Sequence, residues 1–239
     1  MKKIALCVCV AGLVIVVLAA VSGSVTAYGF QSCPPPPTGD PTCPPTGNGD
    51  TQPNCSPIIL DLSGQGFSLT SAANGVMFDI TGSGKLFQIA WTAPGAENGF
   101  LVYDRDGDGV IDSGKELFGN FTPQPPSAHP NGFAALAVYD QPANGGNGDG
   151  IIDAHDKIYS SLRIWIDSNH DGIAQPDELH TLPSVGVYSI SLNYQLSMRR
   201  DQYGNLFRYW SKVNAHDAND TSNVGPIAYD VFLVTGTGK

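Results

Sequence analysis

The sequence predicts an α+β fold: one β-rich domain with short helices and acidic, Gly-turned loops, placed after a signal peptide and a Pro-rich linker. Three observations predict it. Apolar runs alternating with polar residues, separated by Gly-rich turns, recur between residues 58 and 234, as expected of strands. Three shorter stretches in the middle read as short helices, the first with a capping asparagine. Thirteen of the 22 acidic residues fall between Asp104 and Glu178, in segments that place Gly at a turn.

The chain begins Met1-Lys-Lys and is apolar from Ile4 to Val21, with small residues from Ser22 to Ala27. Val25-Thr-Ala27 has the form of a signal-peptidase site, so residues 1–27 are expected to be a cleaved secretory leader; an uncleaved membrane anchor is the alternative reading. Loss of Lys2 and Lys3 leaves ten basic against 22 acidic residues. That balance argues against nucleic acid or an anionic membrane as partner, and accords with bound cations. The expected location is secreted, cell-surface or periplasmic.

Residues 28–56 contain a Pro-, Gly- and Thr-rich tract, from Cys33-Pro-Pro-Pro-Pro to Cys55. It offers little to bury and reads as an extended linker. Cys33, Cys43 and Cys55 are the cysteines that remain after cleavage. In an exported chain two of them should bridge, leaving one free or joined to another molecule. The globular part, 57–239, is expected to contain no cysteine, so metal is the alternative staple.

Within that domain, Ile58 to Leu62, Gly66 to Leu69, Val76 to Ile80 and Phe100 to Tyr103 read as strands. Asn131 to Tyr139 reads as a helix capped by Asn131, and Ala154 to Leu162 and Pro176 to Leu182 as two more. Arg163 to Ile166 alternates as a strand. A C-terminal β segment, 187–234, comprises Val187 to Leu192, Leu206 to Val213 and Ile227 to Val234, enough for an antiparallel sheet that closes the core.

Three acidic loops lie among these elements. In 167–178, Asp167, Asn169, Asp171, the Ile173 carbonyl and Glu178 occupy positions 1, 3, 5, 7 and 12 of an EF-hand loop, with Gly172 at the sharp turn. Gln175 at position 9 would act through a water. In 104–116, Asp104, Asp106, Asp108, the Val110 carbonyl and Asp112 fit, but position 12 is Lys115. Glu116, one residue later, would close a longer loop. In 140–156, Asn147, Asp149, the Ile151 carbonyl, Asp153 and Asp156 fit, and Asp140 supplies position 1 if 141–146 bulge out. Alternating oxygens at this spacing suit a hard cation that takes six to eight oxygen ligands, so the expected cofactor is Ca2+. Ten residues between Asp156 and Asp167 cannot hold two helices, so the loops are EF-hand-like in ligands rather than in flanking architecture. His170, at an even position, should face solvent. No Gly-x-Ser-x-Gly, His-Glu-x-x-His or P-loop is present, so no enzyme activity is expected.

The segments Ser56-Pro-Ile-Ile-Leu-Asp-Leu, Gly99-Phe-Leu-Val-Tyr-Asp-Arg-Asp-Gly-Asp-Gly-Val-Ile-Asp-Ser-Gly-Lys-Glu-Leu-Phe-Gly119, Asn131-Gly-Phe-Ala-Ala-Leu and Leu162-Arg-Ile-Trp-Ile-Asp-Ser-Asn-His-Asp-Gly resemble the calcium-binding module of secreted RTX-type bacterial proteins, including the iron-regulated Frp type. The tail around Asp201 to Tyr209 and Ala228 to Leu233 is similar to exported EF-hand-domain proteins. The resemblance covers roughly residues 56–234 and implies an exported, calcium-stabilised binding or structural module with an unnamed protein or surface partner. In Frp-type proteins such a module cuts an Asp-Pro bond before the first strand. The matching bond here is Ser56-Pro57, which lacks the attacking carboxylate, so no self-processing is expected. The turns Asp61 to Gly66 and Asp79 to Gly84 have Ser63, Gln65, Thr81 and Ser83 where relatives carry acids, and are expected to be turns. A dockerin-like partner module is the other alternative, since Asn147 to Asp156 resembles dockerin loops.

Overall fold

The computed structural model describes residues 9, 10, 13, 14, 55–220 and 225–236. The chain divides into two compact units, Met1–Thr38 and Gly39–Lys239. In the first, β1 (Cys9–Val10) and β2 (Leu13–Val14) pair antiparallel. The rest of the leader, its cleavage site and nearly all of the linker lie outside the described residues.

The second unit is built on a seven-stranded antiparallel sheet. Its order is β11 (Gln195–Arg200), β12 (Leu206–Lys212), β13 (Ile227–Phe232), β3 (Ile58–Asp61), β6 (Asn98–Val102), β8 (Arg163–Trp165) and β9 (Leu179–Thr181). Small antiparallel ladders flank it: β4 (Val76–Phe78) with β5 (Phe87–Ile89), and β7 (Ile151–Ile152) with β10 (Ile190–Ser191). The central strands β3 and β6 are buried at every position, because apolar layers cover both faces. Successive side chains on a strand point to opposite faces. Thus Ile58, Leu60 and Leu101 pack with Phe118, Phe133, Leu136, Ile164 and Tyr209 on one side. Ile59, Phe100 and Val102 pack with Phe78, Trp91, Trp165, Phe207 and Val231 on the other.

The α+β expectation is overturned. Among the described residues the one α-helix is α1 (Gly132–Leu136), five residues long. The stretches expected to be helices at 154–162 and 176–182 contain single 3-10 turns, at Tyr159–Ser161 and Pro176–Glu178, and the second continues directly into β9. Helix nucleation must be repaid by propagation, and these segments end before that happens. Each closes an acidic loop and is needed in the next strand within a few residues. The fold is therefore a strand-rich antiparallel one, without EF-hand helices.

Other boundaries shifted as well. Gly66 to Leu69 contributes only a Leu69–Thr92 bridge. Val187 to Leu192 keeps two strand residues, which pair with β7 and meet the main sheet only through an Ile190–Val213 bridge. Strands β5, β7, β9 and β11 were not anticipated. Cys55, assigned to the linker, is fully buried beside Ile59 and Leu233 and is disulfide-bonded. The domain thus does contain a cysteine, because Cys55, three residues before β3, is carried into the core by its bridge to Leu233.

The helix α1 starts where expected. Asn131 is extended, and its side chain accepts the Ala134 N–H at 2.9 Å. Such a cap is worth about 1 kcal/mol. Asn131→Ala should therefore lower the urea midpoint of unfolding, by an amount equivalent to about 1–2 kcal/mol because the amide is also buried.

Candidate metal centre

Each acidic loop leaves the fold at a strand or helix end. Because Val102 pairs with Arg163 and Phe100 with Trp165, the loop after β6 and the loop after β8 emerge at opposite ends of the sheet. They are two separate sites, not a side-by-side pair. The loop 140–156 follows α1 and contains β7.

All of these loops, and the two turns expected to be metal-poor, share one backbone device. A leading aspartate takes two loop N–H groups on its two oxygens, the second from a glycine. Asp61 binds Gly64 and Gly66 at 2.9 and 2.7 Å, and Asp79 binds Ser83 and Gly84 at 3.1 and 2.5 Å. Asp104 binds Gly107 and Gly109 at 2.7 and 3.0 Å, and Asp167 binds Asp171 and Gly172 at 3.2 and 2.9 Å. Asp140 binds Gly148 and Gly150 at 2.9 and 3.0 Å, with Pro142–Asn144 looped out as a 3-10 turn. The second glycine has φ between +73° and +98° in all five, a conformation that costs glycine little.

The loops differ in how they close. In 104–116, Glu116 is 3% exposed. Its Oε2 accepts the N–H groups of Asp112 (2.9 Å) and Ser113 (3.2 Å) and the Ser113 hydroxyl. Its Oε1 is buried and has no hydrogen-bond partner. One carboxylate oxygen from each of Asp104, Asp106, Asp108 and Glu116 lies within 4.8 Å of the others. Such a group could hold a metal ion. Burial pushes the Glu116 carboxyl above the usual range; the Asp112 and Ser113 N–H groups oppose this, and the charges of Asp112 and Asp106 add to it. Asp112 is exposed and is not among the four converging residues.

In 167–178 the carboxylates of Asp167, Asp171 and Glu178 are all engaged by the protein itself. Glu178 Oε1 accepts the Ser168 N–H at 2.8 Å, and Oε2 accepts the Trp165 indole N–H at 3.2 Å. Asp167 Oδ2 also accepts the Trp91 indole N–H at 2.8 Å. The Asn169 and Gln175 amides both donate to Asp171, at 3.0 and 2.8 Å. In 140–156, Asp156 accepts from Asn147 and Asp153, and Asn147 donates to Asp149. Asp153 is occupied by His155. The Asp156 carboxyl is raised by burial, opposed by those N–H groups and reinforced by Asp140 and Asp153. Of the carbonyl positions, Val110 and Ile173 are exposed, and Ile151 sits in β7. The loop with the best consensus spacing is thus not the one that keeps a buried carboxylate oxygen without a hydrogen-bond partner.

His170 does not face solvent alone. It has φ +60°, which turns its ring back so that the two nitrogens lie 2.8 Å from the Thr92 and Asn74 carbonyl oxygens. Sequence reasoning also missed Arg105, Trp91 and Trp165. A lone arginine amid five acids was the available signal for the first; the tryptophans carried none.

A family model described as the SPM domain matches residues 58–229. Over 142 residues the chain is 40% identical to "Iron-regulated protein FrpA" of Neisseria meningitidis serogroup C. The alignment covers 58% of this chain and 12% of that protein, so the chain spans about an eighth of the length of this curated relative. No helix among the described residues is long and apolar enough to cross a membrane.

Proposed function

The chain belongs to the SPM domain family, and from that premise we propose that it is an exported calcium-binding module, whose first loop takes the ion and whose other two acidic loops are weaker sites. The observation that carries this reading is the Glu116 Oε1 atom, buried without a partner beside three aspartates. A buried carboxylate oxygen costs free energy unless it meets a hydrogen bond or a cation. All four ligands are hard oxygens, which suits calcium better than a transition metal. Asp104, Asp106, Asp108 and Glu116 would hold the ion, and calcium there supplies charge neutralisation and a cross-link between β6 and the chain after it. Asn147, Asp149, Asp156, Asp167, Asn169, Asp171 and Glu178 would have to exchange internal hydrogen bonds for the ion, which lowers affinity. The role is structural or adhesive rather than enzymatic, on a secreted or surface-exposed chain whose partner is a protein or surface.

Extracellular calcium modules work at about 10⁻⁴ to 10⁻³ M. At roughly 100-fold excess over Kd, one site adds about 2.7 kcal/mol. For a domain of this size that is roughly 5–10 °C in Tm. Calcium at 10 mM is roughly 10- to 100-fold above such a Kd, so the expected result is a Tm higher by about 3–10 °C than in EDTA, with calorimetry giving one tighter site. An unchanged Tm and no binding heat would refute the reading.

A further inference from the structure

The four converging acids need something to hold Glu116 in place, since in a standard loop its position would fall one residue earlier. Building on the calcium reading, we propose that Arg105 and Gly114 are the positioning residues of the first-loop site: neither ligates the ion, and together they fix the extra residue that brings Glu116 to the three aspartates.

Arg105 follows the first ligand, yet its guanidinium is turned away from the carboxylates. It lies 5.4, 5.0 and 5.5 Å from the ring centroids of Tyr103, Phe118 and Tyr139. Its Nε donates to the Lys115 carbonyl at 2.5 Å, and Nη1 donates to the Tyr139 hydroxyl. One side chain therefore ties the start of the loop to the residue just before Glu116. The aromatic box also compensates the cation, so it need not pair with the ligands.

Gly114 secures the other side. Its N–H donates to the Asp79 carbonyl at 2.8 Å, and Ser113 forms a parallel bridge with Asp79. A Cβ at Gly114 would overlap the Ile80 carbonyl oxygen. Lys115, which cannot ligate, reaches across to the Gly82 carbonyl at 2.6 Å. The Glu116 carbonyl accepts the Tyr103 N–H at 2.8 Å. Residues 113–116 are thus anchored one by one to the Asp79 turn and to β6, which leaves Oε1 no freedom to turn to solvent. Groups outside the ligand set that orient ligands are worth about 10–100-fold in metal affinity.

The test is calcium calorimetry on the whole domain. Asp106→Ala, at an exposed ligand whose one hydrogen bond is to the Asp108 N–H, identifies the first-loop step by removing it. Arg105→Ala and Gly114→Ala should each weaken that step at least tenfold and leave any other step unchanged. Arg105→Lys keeps the charge but not the fork. It should weaken the step at least fivefold while the Tm in EDTA stays within a degree or two, which a purely structural role would not produce. First-loop affinity within threefold of wild type in all three variants overturns the positioning proposal alone. Absence of any step sensitive to Asp106→Ala overturns it together with the calcium reading.

Discussion

Trp91→Ala should cost about 4 kcal/mol of stability measured by urea unfolding in EDTA, the largest single-residue loss expected in the domain. Trp91 is fully buried. Its ring lies 4.3 Å from Phe100, 5.1 Å from Phe78 and 5.5 Å from Trp165, centroid to centroid. It therefore joins the β4–β5 ladder to the sheet beneath. The substitution leaves a large cavity, and cavities in close-packed interiors are only partly relaxed. It also removes the indole N–H from Asp167, a carboxylate that is 3% exposed. Trp91→Phe separates the two effects: it keeps most of the packing and loses the donor, so about 1–2 kcal/mol is expected. A loss below 1 kcal/mol for the alanine variant would contradict this account of the core.

Asp230→Asn should stabilise the domain, and only at neutral or higher pH. Asp230 is fully buried in β13 opposite Ile58. One of its oxygens accepts the Gly132 N–H at 2.8 Å. Burial raises its pKa from 3.8 to about 7; the Ser56 hydroxyl, the Gly132 N–H and the charge of Arg208 pull the other way. Because the folded pKa lies above the unfolded one, the folded state holds the proton more tightly. The contribution of Asp230 is therefore most favourable below about pH 4, is lost as pH rises from there to 7, and stays at the lower level above. A tenfold difference in proton affinity is worth about 1.4 kcal/mol, so the full span from 3.8 to about 7 amounts to roughly 4 kcal/mol. Asparagine carries no such penalty. Its Tm in EDTA should exceed wild type by roughly 10 °C at pH 8 and be nearly equal at pH 4. Equal effects at the two pH values would show that ionisation of Asp230 is not the cause.

Much of the candidate site was legible in the sequence. The leading aspartates, the glycines after them and the closing acids follow from local spacing, because an aspartate oxygen reaches N–H groups a few residues ahead whatever surrounds the loop. Asp104, Asp106, Asp108 and Glu116 were all identified in this way, including the extra residue before Glu116. Their standing relative to the other loops was not legible. Loop 167–178 has the better spacing, but two tryptophans, Trp91 and Trp165, donate to its carboxylates from outside the loop. Loop 104–116 keeps one buried oxygen open because Arg105 and Gly114 hold its end elsewhere. Two of the three expected helices failed for a related reason: one turn of helical spacing is local, whereas propagation competes with strands that need the same residues.

The sequence by itself determined the strand segments that alternate, the cap at Asn131, and the loops whose oxygens repeat at odd positions. Each of these depends on interactions across a few residues. Only the tertiary structure decided that the loops after β6 and β8 lie at opposite ends of one antiparallel sheet, that Cys55 belongs to the core, and which carboxylates are left without partners. Those outcomes depend on burial and on hydrogen bonds between residues far apart in the chain, such as Trp91 to Asp167 and Asp230 to Gly132, and local spacing contains no record of them.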